Sequence, residues 1–227
     1  MDYIFPGSIP SVAICNSTQR FPVHRIYCVG KNYADHALEM GGDPDQDPPC
    51  FFSKPADAIV CNSEDVPFPS RTDELHYEVE LVLAIGSEAK AVSTSEALNY
   101  LFGYAVGIDL TRRDLQRAAK NAGRPWDVAK GFDGSAPISS IHSVQDIGYL
   151  EQAAISLTLN GEVRQQGNIA NMTWKVPEII AELSTYFSLQ PGDLIFTGTP
   201  AGVGVVQPGD EIIGSVEGLD QVKVRVT

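Results

Sequence analysis

Apolar and polar positions alternate with period two over several short stretches of this chain, a pattern that predicts more strand than helix. Ile155-Ser156-Leu157-Thr158-Leu159 alternates and runs into Asn160-Gly161, a pair suited to a tight hairpin turn. Val222, Val224 and Val226 alternate near the C-terminal end. Further strands are predicted at 25–30, 50–53, 77–85, 104–108, 194–197 and 211–216. Gln-Pro-Gly-Asp occurs at 190–193 and at 207–210, each time ahead of a strand, and reads as one turn chemistry used twice.

Helical periodicity is rarer. A short helix is expected over 34–40, stopped by Gly41-Gly42, with an exposed Asp/Pro-rich loop at 43–49. Ser93-Thr94-Ser95-Glu96 resembles a capping box, with Leu98, Leu101 and Phe102 as the apolar face behind it. Residues 111–121 read as a polar, surface-facing helix that Gly123 ends. The clearest helix begins near Pro177, with Ile179, Ile180, Leu183 and Phe187 on one face and Gln190-Pro191-Gly192 as its stop. The expected class is α+β, β-rich, without a regular βαβ rhythm. The expected organisation is a short N-terminal segment, 1–22, ahead of one domain over 23–227.

Composition adds exclusions. The 227 residues carry a formal net charge of −13, which argues against non-specific nucleic-acid binding and against anionic membrane surfaces. Apolar runs stay well short of membrane-spanning length, and the opening residues lack a basic stretch followed by an apolar one. A cytoplasmic location is therefore expected. The four cysteines, Cys15, Cys28, Cys50 and Cys61, form no CxxC pair and fit no zinc spacing, so reduced core thiols are expected.

Three acidic residues carry the candidate chemistry. Glu78 and Glu80 sit two apart in a predicted strand and so share a face, and Asp109 ends the apolar run 104–108. Like charges directed toward an interior repel and are costly unless neutralised, and an oxygen-binding divalent cation is the economical answer. The alternative is a pair of solvated edge-strand glutamates and a capping aspartate. His36 and Glu39, three apart on a short helix, can form a water-deprotonating dyad or an ordinary surface pair. Arg113 and Gln116 share a helix face near Asp109 and can bind a carboxylate and a carbonyl, or else form a solvated face with Lys130 nearby. The Gly-rich stretch from Thr197 to Gly204 lacks both the lysine of a phosphate loop and the spacing of a dinucleotide fingerprint. Its backbone N–H groups and the Thr199 hydroxyl can approach a small anion, or it is a generic turn.

Taken in order, these pieces resemble the fumarylacetoacetate hydrolase family, and most closely its short branch of acylpyruvate and fumarylpyruvate hydrolases. The residues that carry the resemblance are Val29-Gly30-Lys31-Asn32-Tyr33-Ala34-Asp35-His36 with Glu39-Met40, Phe52-Ser53-Lys54-Pro55 and His76-Tyr77-Glu78-Val79-Glu80. They continue with Asp109 through Gln116, Pro125 through Lys130, Asn160-Gly161-Glu162, and Pro191-Gly192-Asp193 through to Gly204. The resemblance implies a rolled β-sheet or β-sandwich core with few helices, a homodimer, and Mg²⁺ or Mn²⁺ held by Glu78, Glu80 and Asp109. It further implies a His36–Glu39 dyad on a lid, Lys130 stabilising negative charge, and Arg113, Gln116 and Thr199 on a small anionic 2-oxo acid substrate. Longer eukaryotic members place a fourth carboxylate where this chain has Val29. The implied reaction is hydrolysis of the carbon–carbon bond of a 2,4-dioxo acid, with oxaloacetate decarboxylation or 2-oxo acid isomerisation on the same site as rivals. A non-catalytic, metal-stabilised protein is the reading from another class.

Overall fold

The computed structural model describes residues 4, 7–39, 49–61 and 64–227, apart from the side chains of Ala37 and Glu39. Its strands, in chain order, open with β1 (Ser11–Ala13), β2 (Arg20–Pro22), β3 (Ile26–Gly30), β4 (Cys50–Lys54), β5 (Ile59–Cys61) and β6 (Leu75–Tyr77). They continue with β7 (Val79–Ile85), β8 (Leu101–Ile108), β9 (Thr111–Arg112), β10 (Ala136–Ile138), β11 (His142–Ser143) and β12 (Ala154–Leu159). The last are β13 (Glu162–Asn168), β14 (Leu194–Phe196), β15 (Gly204–Val206), β16 (Glu211–Val216) and β17 (Val222–Arg225). The helices are α1 (Ala34–Glu39), α2 (Arg113–Asn121), α3 (Asp127–Lys130), α4 (Val144–Ile147) and α5 (Val176–Tyr186). The expected α+β, strand-dominated class is what the chain adopts.

An eight-stranded mixed sheet, in the order β4-β3-β14-β7-β8-β10-β5 with β11 also on β8, forms the centre. Every residue of β7 is buried, because both faces of this sheet are covered. One face packs Leu81, Leu83 and Val106 against Ile155, Leu157 and Ile212 of the antiparallel sheet β13-β12-β16-β17 and against Ile179, Ile180 and Leu183 of α5. The other packs Val82, Ala105 and Phe196 against Val12 and Phe21 of the N-terminal hairpin β1-β2. Two-sided burial accounts for the continuous apolar run in β7, where a one-sided strand alternates.

Turn chemistry follows the sequence closely. Asn160 and Gly161 take φ of 52° and 83° between β12 and β13. In the two Gln-Pro-Gly-Asp turns the Asp carboxylate accepts the Gln backbone N–H at 2.8 Å in both copies, and the glycines adopt φ of 99° and 97°.

Several expected elements are corrected. The strand expected over 77–85 is interrupted at Glu78: β6 belongs to a three-stranded sheet with β15 and β9, and β7 to the central sheet. The helix expected behind Ser93 is a 3-10 turn at Ala97–Tyr100, because Leu101 and Phe102 are drawn into β8. Thr111 and Arg112 pair with β6 rather than starting α2, and α2 is not wholly surface-facing, since Arg113, Gln116 and Ala119 are buried. Phe187 lies past α5 and is 41% exposed, its ring 4.9 Å from that of Tyr27. Of the cysteines, Cys28 is buried and the other three are partly exposed, all as free thiols. The expected Met40, the Gly41-Gly42 stop and positions 43–48 of the expected loop lie outside the described residues, and no described helix is long and apolar enough to cross a membrane.

Candidate metal centre and active-site cleft

The interruption at Glu78 builds the site. Val79 pairs with Ile108 in the central sheet and His76 with Thr111 in the small one, so one antiparallel register runs through both sheets and sets Glu78 opposite Asp109. Asp109 N–H donates to the Glu78 carbonyl at 2.8 Å. Glu80, in β7, faces Gly107 across the same pair. Carboxylate oxygens of Glu78, Glu80 and Asp109 come within 4.8 Å of one another, and all three residues are buried.

Cations surround the trio. Lys130 Nζ lies 2.8 Å from Glu78 Oε2 and 2.6 Å from Asp109 Oδ2. Arg113 Nη2 bonds Glu78 Oε1, and Arg113 Nη1 donates to Gln116 Oε1 at 2.6 Å. Lys54 Nζ stands 2.8 Å from Asp109 Oδ1 and donates to the carbonyls of Leu110 and Lys130. Glu80 accepts the Gly198 N–H at 2.7 Å. Gly198 has φ of 96°, and a Cβ there would stand 2.7 Å from that of Asn32, so only glycine can offer its N–H at this point.

The electrostatics divide the two glutamates. Burial alone raises the Glu78 carboxyl, but Lys130, Arg113 and His36 outweigh it and hold the group well below the usual carboxylate range. Burial and the like charges of Asp109 and Glu78 push Glu80 well above that range, against the pull of Lys130 and the Gly198 N–H. Burial lowers Lys130, yet Asp109 and Glu78 more than restore it, so it is a cation. Burial, helped by Arg113, lowers His76 to about 4 and keeps it neutral.

This donor set fits a hard divalent ion. Three convergent carboxylates are the oxygen-rich ligand type that Mg²⁺ and Mn²⁺ take. The mutual repulsion raising Glu80 is what a dication at their focus would relieve.

His36, Glu78, Glu80, Asp109, Arg113, Gln116, Lys130 and Thr199 all line one cleft. Of the site residues expected from sequence, only Glu39 is undescribed there: it closes α1, and its side chain lies outside the described residues. His36 is buried although its helix is short. Three residues that hold the site carry no role visible in the sequence itself. Lys54 and Asn32 were visible only inside matched motifs; Asn32 donates to the Thr197 and Trp174 carbonyls and fixes the glycine loop. Gln165 gave no signal at all, yet it donates to Thr199 Oγ1 and to the Pro200 carbonyl at 2.8 Å each and accepts the Val79 N–H at 3.0 Å.

The family model "Fumarylacetoacetate (FAA) hydrolase C-terminal" matches residues 25–227. A fumarylpyruvate hydrolase from a Ralstonia species is 48% identical over 176 residues, 78% of this chain and 91% of that protein. A mitochondrial oxaloacetate tautomerase of Arabidopsis thaliana is 42% identical over 202 residues, 89% of this chain and 90% of that protein. A crystal structure of fumarylpyruvate hydrolase from Pseudomonas aeruginosa in complex with Mn²⁺ and pyruvate superposes with a TM-score of 0.98 at 47% identity, covering 100% of this chain and 99% of that one.

Proposed function

Because this chain belongs to the fumarylacetoacetate hydrolase family, we propose that it hydrolyses the carbon–carbon bond of a 2,4-dioxo acid, fumarylpyruvate or a related acylpyruvate, to pyruvate and a carboxylic acid. The observation that carries this reading is the buried trio Glu78, Glu80 and Asp109 sharing one cleft with His36, Arg113, Gln116, Lys130 and Thr199. The names of the Ralstonia and Pseudomonas relatives support it.

A Mg²⁺ or Mn²⁺ ion held by the three carboxylates supplies a Lewis acid toward the oxygens of a 2-oxo acid. Arg113 and the Thr199 hydroxyl bind the substrate carboxylate and carbonyl. Gln116 already spends its amide oxygen on Arg113, which leaves its NH₂ group to donate to substrate. His36, oriented by Glu39, takes a proton from the water that attacks the 4-carbonyl. The C3–C4 bond then breaks, its electron pair passes to C3 as the enolate of pyruvate, and a proton returns to C3. Lys130, a cation at the same focus, stabilises the charge as it develops. The reading includes a cytoplasmic homodimer.

Oxaloacetate tautomerisation is the second reading, favoured by the Arabidopsis relative. It moves a proton between C3 and the 2-oxygen and needs the same anchoring groups but no attacking water. A panel of fumarylpyruvate, acetylpyruvate and oxaloacetate with Mn²⁺ separates the two. Pyruvate release from an acylpyruvate supports hydrolysis, whereas loss of oxaloacetate enol absorbance without pyruvate supports tautomerisation. Inertness toward all three overturns both.

A further inference from the structure

At the other end of β8 from Asp109, three side chains from separate segments meet. Cys15 follows β1, His142 lies on β11, and Asp220 sits in the turn between β16 and β17. One donor atom from each lies within 4.8 Å of the others. His142 pairs with Tyr104, five residues before Asp109 along an extended strand, so about 17 Å separates this cluster from the carboxylate trio.

We propose that Cys15, His142 and Asp220 form a second metal site, one for Zn²⁺ or a similar borderline-soft divalent ion, with three protein ligands and a fourth position for water. The donor set differs in kind from that of the cleft: sulfur, imidazole nitrogen and one carboxylate suit zinc, where three carboxylates suit a hard ion. His142 Nε2 stands 3.4 Å from Asp220 Oδ2. Two ligands bonded at about 2.0–2.1 Å across a tetrahedral angle are separated by about that distance.

The backbone holds the ligands in place before any ion arrives. Cys15 N–H donates to the Ile141 carbonyl and Ile141 N–H to the Ala13 carbonyl, both at 2.8 Å, and Ile14 bridges Ile141, so Cys15 is fixed beside His142. Ser140 Oγ donates to Asp220 Oδ2 and orients that carboxylate, as outer partners of metal ligands do. His142 Nε2 accepts the Asp220 N–H at 3.1 Å, and coordination exchanges this hydrogen bond for a metal–nitrogen bond at the same lone pair. The carboxylates of Asp220 and Asp146 both act on Cys15 through space. The negative field that disfavours a bare thiolate favours a cation, which displaces the thiol proton on binding.

Such an ion would clip the hairpin β1-β2, which precedes the family-matched region at residue 25, to the central and C-terminal sheets. The inference is independent of which reaction the cleft performs.

Titration of the protein with Co²⁺, a spectroscopic stand-in for Zn²⁺, in excess Mg²⁺ to occupy the carboxylate trio, tests it. Thiolate-to-cobalt charge transfer requires sulfur, so the carboxylate trio cannot produce it. The expected result is a charge-transfer band that saturates at one equivalent, vanishes in Cys15→Ser, weakens on the order of tenfold or more in affinity in His142→Gln, and is displaced by Zn²⁺ but not by Mg²⁺. With the carboxylate trio already saturated by Mn²⁺, further addition of Zn²⁺ should raise the melting temperature of the wild type more than that of Cys15→Ser. Absence of the band in the wild type, or its persistence in a folded Cys15→Ser variant, overturns the proposal.

Discussion

Lys54 Nζ and Asp109 Oδ1 stand 2.8 Å apart, both side chains almost wholly out of solvent, with Lys130 on the other carboxylate oxygen. Asp109 is thus held between two lysines from distant parts of the chain. Lys54→Met removes one of them and frees two backbone carbonyls. Truncating one member of a buried ion pair typically costs about 3–5 kcal/mol, and with Lys130 still in place about 3 kcal/mol is expected. Urea denaturation of the purified variant measures it.

Glu39→Gln and His36→Asn should each lower the kcat for an acylpyruvate by about 10²–10⁴, the range of general-base catalysis. Neither residue belongs to the carboxylate trio, so Mn²⁺ affinity from calorimetric titration should stay within about twofold of wild type. An undiminished kcat in both variants would remove the dyad from the mechanism.

Gln165 spans the glycine loop and the first residue of β7. Gln165→Leu leaves the Val79 N–H, the Thr199 hydroxyl and the Pro200 carbonyl without this partner. Each buried polar group left unsatisfied costs about 1–3 kcal/mol. A loss of about 3 kcal/mol is expected in thermal unfolding, with a raised KM as Thr199 loses its orientation.

Metal should stabilise the fold as well as activate it. At a Mn²⁺ concentration about 100 times its dissociation constant, binding to the native state alone adds about 2.7 kcal/mol. The melting temperature should rise on adding Mn²⁺, fall back with EDTA, and respond far less in Glu80→Gln. An equal rise in that variant would place the ion elsewhere.

Asp114 offers a pH test away from the cleft. Burial raises its carboxyl, but the Thr72 hydroxyl and the backbone N–H groups of Asp73 and Leu115 outweigh it, and the net shift is downward. A lowered folded-state pKa gives stability that is present above the ordinary Asp range and lost as pH falls through the depressed one. Asp114→Asn should therefore cost up to about 1 kcal/mol at pH 7, the small figure reflecting solvent screening. That difference should shrink toward pH 2–3 in paired melting curves.

Much of this architecture was legible along the chain. The Asn160-Gly161 hairpin, the two Gln-Pro-Gly-Asp turns and α5 depend on local chemistry, and local chemistry is what a sequence displays. The carboxylate trio was legible for the same reason, since acidic residues in apolar runs stand out. Arg113 and Lys130 were legible with it, but Lys54 and Gln165 were not. A buried lysine such as Lys54 has the composition of a surface residue, and Gln165 reaches Val79 across 86 positions of chain. Glu78 was expected inside a continuous strand, because no turn residue marks the break. Tertiary pairing makes that break, when both chain segments pass together from one sheet into another.

The count of buried charges has a further consequence. With Glu80 ionised, as metal binding requires, the buried carboxylates of Glu78, Glu80 and Asp109 are matched by the buried cations Lys54, Arg113 and Lys130, three against three. A dication entering alone leaves that interior with excess positive charge, and an organic anion entering alone leaves it with excess negative charge; each imbalance is costly at low dielectric. Each guest is therefore held more tightly in the presence of the other, and by linkage the enhancement is the same in both directions. A metal affinity measured without an anion in the cleft will understate the one at which the protein works.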